Sequence, residues 1–195
     1  MYECTGIFFS NREITLSAKS FNTDVNHEIA PVYQTVTVRK GDNLFEMELP
    51  MGQDFLIWDE FSPALYRLTA TLKNGKQIET KQIQFGMREF TINGKWFYIN
   101  GRKTMLRGTV ENCDFPLTGY APMDVASWER VFRICRSYGL NHMRFHSYCP
   151  PEAAFIAADL VGFYLQPEVR AGLITARSWG MDNLLTNISW MKPLR

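Results

Sequence analysis

The chain has 195 residues, of which 46% are hydrophobic and 14% aromatic, so it holds enough apolar material for one ordinary domain or two small ones and is not expected to be disordered. Its 21 basic residues nearly balance 20 acidic residues, and the formal net charge of +1 excludes a long-range field that would attract nucleic acid or an acidic membrane. No run of about 18 apolar residues is present, so we expect no membrane partner and no nucleic-acid partner.

The beginning of the chain, MYECTGIFFSNREITL, lacks the basic region, apolar core and cleavage site of a signal peptide. The localisation stays open, because either the protein is cytoplasmic or its true beginning lies outside this sequence. The four cysteines form no C-x-x-C pair, and their apolar or mixed surroundings predict reduced, packed thiols. These are Cys4, Cys113, Cys135 and Cys149.

Residues 3–85 alternate between polar and apolar side chains and are rich in β-branched residues. This pattern predicts five short strands, with the sequences EITLSAKSF, YQTVTVRK, LFEMELP, ALYRLTATL and QIETKQIQF. Turn signals between them, such as KNGK at 73–76, favour tight hairpins. The strands predict a small antiparallel β-sandwich, with Tyr66 and Leu68 on a strand face that points into its core.

The next segment, 85–102, predicts a connector and a hairpin, because FTING and FYINGR each close on Asn-Gly. KTMLRGTV at 103–110 then predicts a strand, and after a loop comes a helix that Asp124 can cap. Gly139 suits the left-handed position that ends this helix. Its predicted buried side consists of Trp128, Val131, Phe132, Cys135 and Tyr138, at helical spacing.

The last regular pattern predicts a strand at 140–145, a second helix opened by Pro151 and ended by Gly162, and a third strand at 163–166. Strands that alternate with helices across short joints are typical of a parallel sheet with right-handed crossovers. Three strands cannot close a barrel that needs eight.

Three segments carry a family resemblance. FGMREFTINGKWFYINGRKTMLRGTVENCDFPLTG resembles the junction before the barrel in glycoside hydrolase family 2, the β-galactosidase and β-glucuronidase family. WERVFRICRSYGLNHMRFHSYCPPEAAFIAADLVGFYLQPE resembles that family's first barrel helix, its G-x-N-x-x-R strand, its Pro-bearing loop and a strand that ends in an acid. IWDEFSPALYRLTATL resembles part of its immunoglobulin-like domain. The resemblance implies an immunoglobulin-like β-sandwich at 1–86 and, at 87–168, the first three strands and two helices of an incomplete TIM (β/α)8 barrel.

Two departures from the family pattern bear on specificity. Better-known members carry a His-Glu pair where this chain has Glu111, Asn112, Cys113 and Asp114, and S-H-Y-P where it has FHSYC at 145–149. A specificity for galactose or glucuronate is therefore not carried over to this chain.

The family resemblance implies that a full-length parent hydrolyses O-glycosidic bonds in an oligosaccharide or polysaccharide. A periplasmic or secreted localisation of this parent remains an alternative to the cytoplasm. A retaining enzyme of this kind needs two carboxyl groups about 5 to 5.5 Å apart. In the resembled family both are glutamates on later barrel strands, so no residue of this chain is assigned as catalytic and the chain itself is expected to be inactive. We expect no cofactor, and no trio of side chains has metal-ligand spacing.

The ends of the predicted parallel strands select the candidate substrate-binding residues, because ligand-facing groups of a TIM barrel lie at the carboxyl ends of its strands. They are Asn112, which follows Glu111 after the first strand, Arg144 and His146 at the second, and Glu168 at the third. For Glu168 and Arg144 the alternative is a structural ion pair, and a lone histidine such as His146 is more often a structural group.

Other polar and aromatic residues are assigned to structure. His27 falls in a polar loop, and His142 is expected to face out between strand and helix. Trp58, Trp96 and Trp128 could stack on sugar rings, but aromatic side chains in strands and helices mostly fill cores. We favour the core for all three.

The tail at 169–195 shows neither strand alternation nor a sustained amphipathic face, and the family resemblance stops there too. Codons permitted for Val169 onward, read one base out of register with one G restored, can spell GPSWANHGTFLGDGQPIDQYILDE, which is typical of relatives. Our hypothesis is that a one-base deletion near Glu168 shifted the reading frame and produced this tail.

Two other functions compete with the glycoside hydrolase. The β-rich part could be a non-catalytic module that binds carbohydrate or protein, although no exposed row of aromatic residues supports it. A nucleotide-binding domain is weaker, because no Gly-rich phosphate loop follows a strand.

Overall fold

A computed structural model describes residues 10–169, which are mostly β-strand with two helices. The chain divides into two compact units, which within the described residues are 10–56 with 64–87 and 57–63 with 88–169. Cys4 and the predicted tail, apart from Val169, lie outside the described residues. Neither helix of the described part is long and apolar enough to cross a membrane.

The first unit contains a four-stranded antiparallel sheet in the order β2-β1-β3-β4, which is consistent with a β-sandwich domain. The strands are β1 (Ser10–Phe21), β2 (Glu28–Val38), β3 (Leu65–Asn74) and β4 (Gln77–Phe85). Gly75, with φ 58°, lies in the turn between β3 and β4, as the Asn-Gly signal predicts. Four of the five predicted strands are confirmed.

The fifth predicted strand, LFEMELP at 44–50, is wrong, because these residues form no strand. Leu49 and nearby Met51 pack against the core of the first unit, whereas Leu44 is 89% exposed. Leu49 is therefore partly buried by side-chain packing, and the backbone of this segment pairs with no neighbouring strand.

The core of the first unit forms around Tyr66, whose side chain is fully buried. Its phenol oxygen accepts the Leu56 N–H at 2.8 Å and lies 2.6 Å from Nδ1 of His27, so His27 has a structural partner. The predicted inward face of β3 is confirmed at Tyr66 and Leu68. Leu65, on the other face of β3, is also fully buried.

The second unit begins with a three-stranded antiparallel sheet of β5 (Phe90–Asn93), β6 (Trp96–Ile99) and β7 (Arg102–Thr104). Asn100 and Gly101, with φ of 51° and 73°, supply the two positive angles that a tight hairpin turn requires. The predicted strand at 103–110 is wrong in its extent, because β7 ends at Thr104 and a new strand starts only at Gly108.

A three-stranded parallel sheet follows, in the order β10-β9-β8. Its elements, in chain order, are β8 (Gly108–Glu111), α1 (Val125–Ser137), β9 (His142–Phe145), α2 (Glu152–Val161) and β10 (Tyr164–Gln166). Asp124 caps α1 by accepting the Ser127 N–H at 2.8 Å, and Gly162 ends α2 with φ 75°. The predicted alternation of strands and helices is confirmed, although Pro151 lies just before α2 and not at its first position.

The helices pack on one face of the parallel sheet through a core that includes Trp128, Phe132, Met143 and Phe145. The core assignment is confirmed for Trp128 and for Trp58, which is 2% exposed, and is wrong for Trp96, which is only partly buried and stacks against Lys103.

Three further packing predictions are wrong. Tyr138 follows α1 and is 81% exposed, so it does not extend the buried side of the helix. The thiols of Cys113 and Cys149 are exposed, because both lie in loops that follow the strands. Cys135, the third cysteine of the described residues, is partly buried.

The parallel strands are tied at their amino ends by Asn141, which is 2% exposed. Its side-chain oxygen accepts the Arg107 N–H at 2.8 Å, and its amide donates to the Met105 carbonyl at 3.1 Å and to Oε2 of Glu60 at 2.6 Å. The peptide groups at 105–107 are therefore held by a side chain, which explains the break between β7 and β8.

Glu60 belongs to the segment 57–63, which is fixed to the helices of the second unit. Arg136 of α1 donates to the main-chain oxygens of Glu60 at 2.6 Å and of Gly162 at 2.7 Å. The indole N–H of Trp58 donates to the Asp159 carbonyl at 2.8 Å. Gly162 combines a positive φ with a close approach to Glu60, and a side chain at this position would meet the Glu60 backbone at 2.9 Å.

We expect Asn141→Ala to lower the free energy of unfolding by about 2 to 3 kcal/mol, because it removes the bonds to the backbone at 105–107 and leaves the buried Glu60 carboxylate with the Arg107 guanidinium, 4.0 Å away, in place of its amide donor. Urea unfolding of the chain measures the loss. The matched control is Asn112→Ala at an exposed loop position, where a change within about 0.5 kcal/mol is expected. Equal losses of unfolding free energy in the two variants would contradict the stabilising role of Asn141.

Candidate functional site

The candidate site lies at the carboxyl ends of β8, β9 and β10. Because the three strands are parallel, their carboxyl ends meet at one edge of the sheet. Glu111 ends β8, Arg144 lies near the end of β9, and Glu168 comes two residues after β10. Three of the polar residues singled out in the sequence therefore lie at strand ends along a common edge of the sheet.

Arg144 and Glu168 form an ion pair, with 2.5 Å between Nε and Oε1. The second carboxylate oxygen of Glu168 accepts the Ser147 N–H at 2.8 Å. The Ser147 amide, followed by Arg144 and by His146, holds the pKa of Glu168 below its usual range despite partial burial of the carboxyl group. Glu168 is therefore a carboxylate whose two oxygens are both engaged and whose charge is stabilised.

The second carboxyl group at this edge, Glu111, has a different environment. It accepts the Cys113 N–H at 3.0 Å and a hydrogen bond from the hydroxyl of Tyr148. Burial raises the pKa of Glu111 above its usual value, with backbone N–H groups at 112–114 acting in the opposite direction and the charge of Asp114 adding to the rise. Two acidic groups at one edge of the sheet thus have opposite shifts in pKa.

Asn112 and His146 both have exposed side chains next to this edge. The backbone N–H of His146 donates to the Glu111 carbonyl at 2.8 Å, which places His146 directly beyond the end of β9. The site therefore contains all four residues predicted to bind substrate at or beside the strand ends, two in an ion pair and two exposed.

His142 lies on the opposite face of β9 from the one predicted. Met143 and Phe145 pack in the helix-facing core, so alternation directs His142 and Arg144 to the other face of the sheet. There His142 lies against Gly108, where an added methyl group would overlap its Nδ1. Burial lowers the pKa of His142, which is typical of a packed neutral imidazole.

Ser147 and Tyr148 are not among the residues predicted from the sequence. The Ser147 N–H donates to Glu168, and the Tyr148 hydroxyl donates to Glu111. Ser147 has a φ of 63°, a conformation uncommon for residues other than glycine, and this turn aims its N–H at Glu168. The available signal was their position immediately after β9, within the FHSYC segment that departs from the family pattern.

Within residues 10–169, no group of three or more His, Cys, Asp or Glu side chains is arranged to hold a metal ion. The chemistry that the edge can support is recognition of a polar ligand, through a charged pair, a half-buried carboxyl group and exposed amide and imidazole groups. Hydroxyl groups of a sugar match these donors and acceptors.

Glu168→Gln tests the charge of the ion pair. Because the pKa of Glu168 is lower in the folded protein, its contribution to stability is present above the ordinary value of 4.5 and is lost as the pH falls through the folded value. We expect the variant to melt at a lower temperature than the wild type at neutral pH, and the two melting curves to converge in acid.

Thermal unfolding followed by circular dichroism across the acid range measures this convergence. Glu79→Gln removes an exposed carboxyl group on β4 and serves as the control, which is expected to follow the wild-type pH dependence. A constant difference between Glu168→Gln and the wild type at all pH values would show that the ion pair carries no pH-dependent stability.

The chain resembles known proteins in sequence and in fold. Residues 9–88 match the family described as "Glycosyl hydrolases family 2". A putative β-glucuronidase from Formosa agariphila is 31% identical over 140 residues, covering 68% of this chain and 17% of that protein. A β-galactosidase from Thermoanaerobacterium thermosulfurigenes is 35% identical over 79 residues, covering 40% of this chain and 11% of that protein.

Among solved structures, a glycosyl hydrolase family 2 member from Bacteroides cellulosilyticus DSM 14838 matches with a TM-score of 0.71 and 20% identity, over 88% of this chain and 24% of that one. At this identity the likeness shows the fold alone. The chain spans 11% to 17% of the length of the curated relatives described above.

Proposed function

The chain belongs to glycosyl hydrolase family 2, and on this basis we propose that the full-length protein hydrolyses glycosidic bonds of an oligosaccharide or polysaccharide by the retaining, double-displacement route. The observation that carries the proposal is the meeting of Glu111, Arg144 and Glu168 at the carboxyl edge of a parallel sheet. In barrels built from such sheets, this edge is where substrates bind.

The proposed architecture has an immunoglobulin-like β-sandwich at residues 1–86 and, at 87–168, the first three strands and two helices of a (β/α)8 barrel. The order β10-β9-β8, with each successive strand added beside the last and helices in the connections, supports a barrel that continues beyond β10. In this arrangement β8, β9 and β10 are barrel strands one, two and three.

We assign Asn112, Arg144, His146 and Glu168 to substrate binding. Glu168 is held as a charged acceptor by Arg144 and the Ser147 amide, and it can orient a sugar hydroxyl or keep Arg144 aimed at one. The exposed side chains of Asn112 and His146 supply a donor and an acceptor each. None of the four is proposed to attack the sugar.

The catalytic carboxyl groups are proposed to come from later barrel strands of the full-length protein. Glu168 is a poor candidate for a nucleophile, because both of its oxygens already accept hydrogen bonds from Arg144 and Ser147. The match of residues 9–88 to the family also supports the β-rich part as a portion of an enzyme over an independent binding module.

The chain of 195 residues is expected to show no turnover of aryl glycosides, because the two catalytic carboxyl groups are not among its residues under this proposal. Release of the aryl group from a panel of β-linked substrates measures the activity. Turnover that a covalent glycosidase inhibitor abolishes would contradict the assignment of no catalytic residue to this chain.

Sequencing the gene across the codon of Glu168 tests the proposed origin of the tail at 169–195. If one base is missing there, putting it back is expected to restore GPSWANHGTFLGDG after Glu168. The corrected reading frame would then provide a longer protein for assay. An intact frame through the present tail would end the frameshift explanation.

In the longer protein, His146→Ala is expected to lower kcat/KM about tenfold, because one hydrogen bond to the ligand corresponds to about 1.4 kcal/mol. Hydrolysis followed by NMR of the released sugar gives both the rate and the retained anomeric configuration. His27→Ala, in the first unit, is the matched control with unchanged kcat/KM. Inversion of configuration would sink the proposed mechanism, and an unchanged rate in His146→Ala would remove this residue from the site.

A further inference from the structure

The loop of residues 146–148, directly after β9, is bonded to the ends of both neighbouring strands. Towards β8, the His146 N–H donates to the Glu111 carbonyl at 2.8 Å. Towards the segment after β10, the Ser147 N–H donates to Glu168 Oε2 at 2.8 Å, and the Tyr148 carbonyl accepts the Glu168 N–H at 3.1 Å. The backbone of this loop therefore fixes the two acidic residues relative to one another.

Tyr148 adds the one side-chain hydrogen bond from this loop to Glu111. Its ring stands edge-on to Phe145, with 5.5 Å between ring centroids and an interplanar angle of 88°, and it packs against the core of the second unit. Phe145 is fully buried. The hydroxyl therefore projects from an anchored ring, so little side-chain entropy opposes its hydrogen bond to Glu111.

The Glu111 carboxylate is held from two sides. Backbone N–H groups at 112–114 approach it from its own loop, with the Cys113 N–H at 3.0 Å and 3.1 Å from its two oxygens. The Tyr148 hydroxyl approaches Oε2 from the neighbouring strand end. The loop amides belong to the same segment as Glu111, so only the contact with Tyr148 ties this carboxylate to the element that also holds Glu168.

We propose that Tyr148 is a positioning residue, whose hydroxyl fixes the Glu111 carboxylate at the carboxyl end of β8 while the same loop holds Glu168 through the Ser147 N–H, so that both acidic groups are rigidly placed at the strand ends that bind a carbohydrate. The carbohydrate part of this statement rests on the proposed function. The position of Glu111 itself does not, because it follows from contacts within the second unit.

The charges around Glu111 determine what loss of the hydroxyl does. Burial and the nearby Asp114 disfavour the carboxylate form, and the backbone N–H groups favour it. A hydroxyl that donates to the carboxylate also favours the charged form. The other charged or titratable groups from the end of β9 and the loop at 146–148 are Arg144, which pairs with Glu168, and His146, whose charge also acts on Glu168.

Tyr148→Phe in the chain of 195 residues removes this donor and keeps the ring. Carboxyl-carbon NMR of glutamate-labelled protein follows the titration of Glu111, which is assigned by its absence in Glu111→Gln. We expect the midpoint of Glu111 to move to higher pH in Tyr148→Phe and to stay unchanged in Tyr138→Phe, which alters an exposed tyrosine after α1. An unchanged Glu111 midpoint in Tyr148→Phe would overturn the proposal.

A reciprocal measurement covers the case in which Tyr148→Phe does not fold. Ultraviolet absorbance of tyrosinate is followed against pH in the wild type and in Glu111→Gln. One tyrosine is expected to ionise at lower pH in the variant, because a carboxylate next to the phenol opposes its ionisation. Superimposable curves would overturn the proposal.

Both titrations are made without carbohydrate, so they are independent of the proposed function. If the longer protein hydrolyses no glycoside, the proposed function is wrong. The titration midpoint of Glu111 still tests the role of Tyr148 in that case. Hydrolysis with unaltered titrations would keep the function and remove Tyr148 from it.

Discussion

The buried side chain of Asn141 is the contact on which the parallel sheet of the second unit depends. It bonds to the backbone on both sides of Leu106, so it fixes where β8 can begin relative to β9. Strand pairing then carries this register to the other end of the sheet, where Val110 faces Arg144 and Glu111 faces Phe145. A shift of one residue would reverse which side chains point away from the helices, and Glu111 would no longer reach Tyr148.

At the opposite edge of the sheet, the short loop after β9 holds two carboxyl groups by hydrogen bonds. The Ser147 N–H and then Arg144 lower the pKa of Glu168, whereas burial raises the pKa of Glu111. Both receive hydrogen bonds from residues 147–148. The edge therefore carries one carboxyl group with a lowered pKa and one with a raised pKa.

Features with local causes were predictable from the sequence. The cap at Asp124, the end of α2 at Gly162 and the Asn-Gly turn at Gly101 each depend on one residue's own conformational preference or hydrogen-bonding range. The strand ends that bear Arg144 and Glu168 followed from the alternation of strands and helices, since parallel strands bring these ends together.

Features with distant causes were not predictable in this way. The predicted strand at 44–50 has the right alternation but packs on a core without a partner strand. The break at 105–107 comes from Asn141, some 34 positions away, and the direction of Tyr148 comes from packing on Phe145. The sequence pattern of a segment does not indicate which distant residues will contact it in the folded chain.

The segment 57–63 has a consequence for how this polypeptide can be divided. The chain passes into the second unit at Ile57 and returns to the first at Ala64 before β3 begins, so a cut near residue 87 does not separate two complete folding units. A polypeptide that starts at this cut loses the indole that bonds α2 at Asp159, and it also loses the carboxylate that Asn141 needs. Synthesis from the amino end makes this segment long before its helical partners exist, so ordering of the α/β part must wait for an encounter across about a hundred residues of chain.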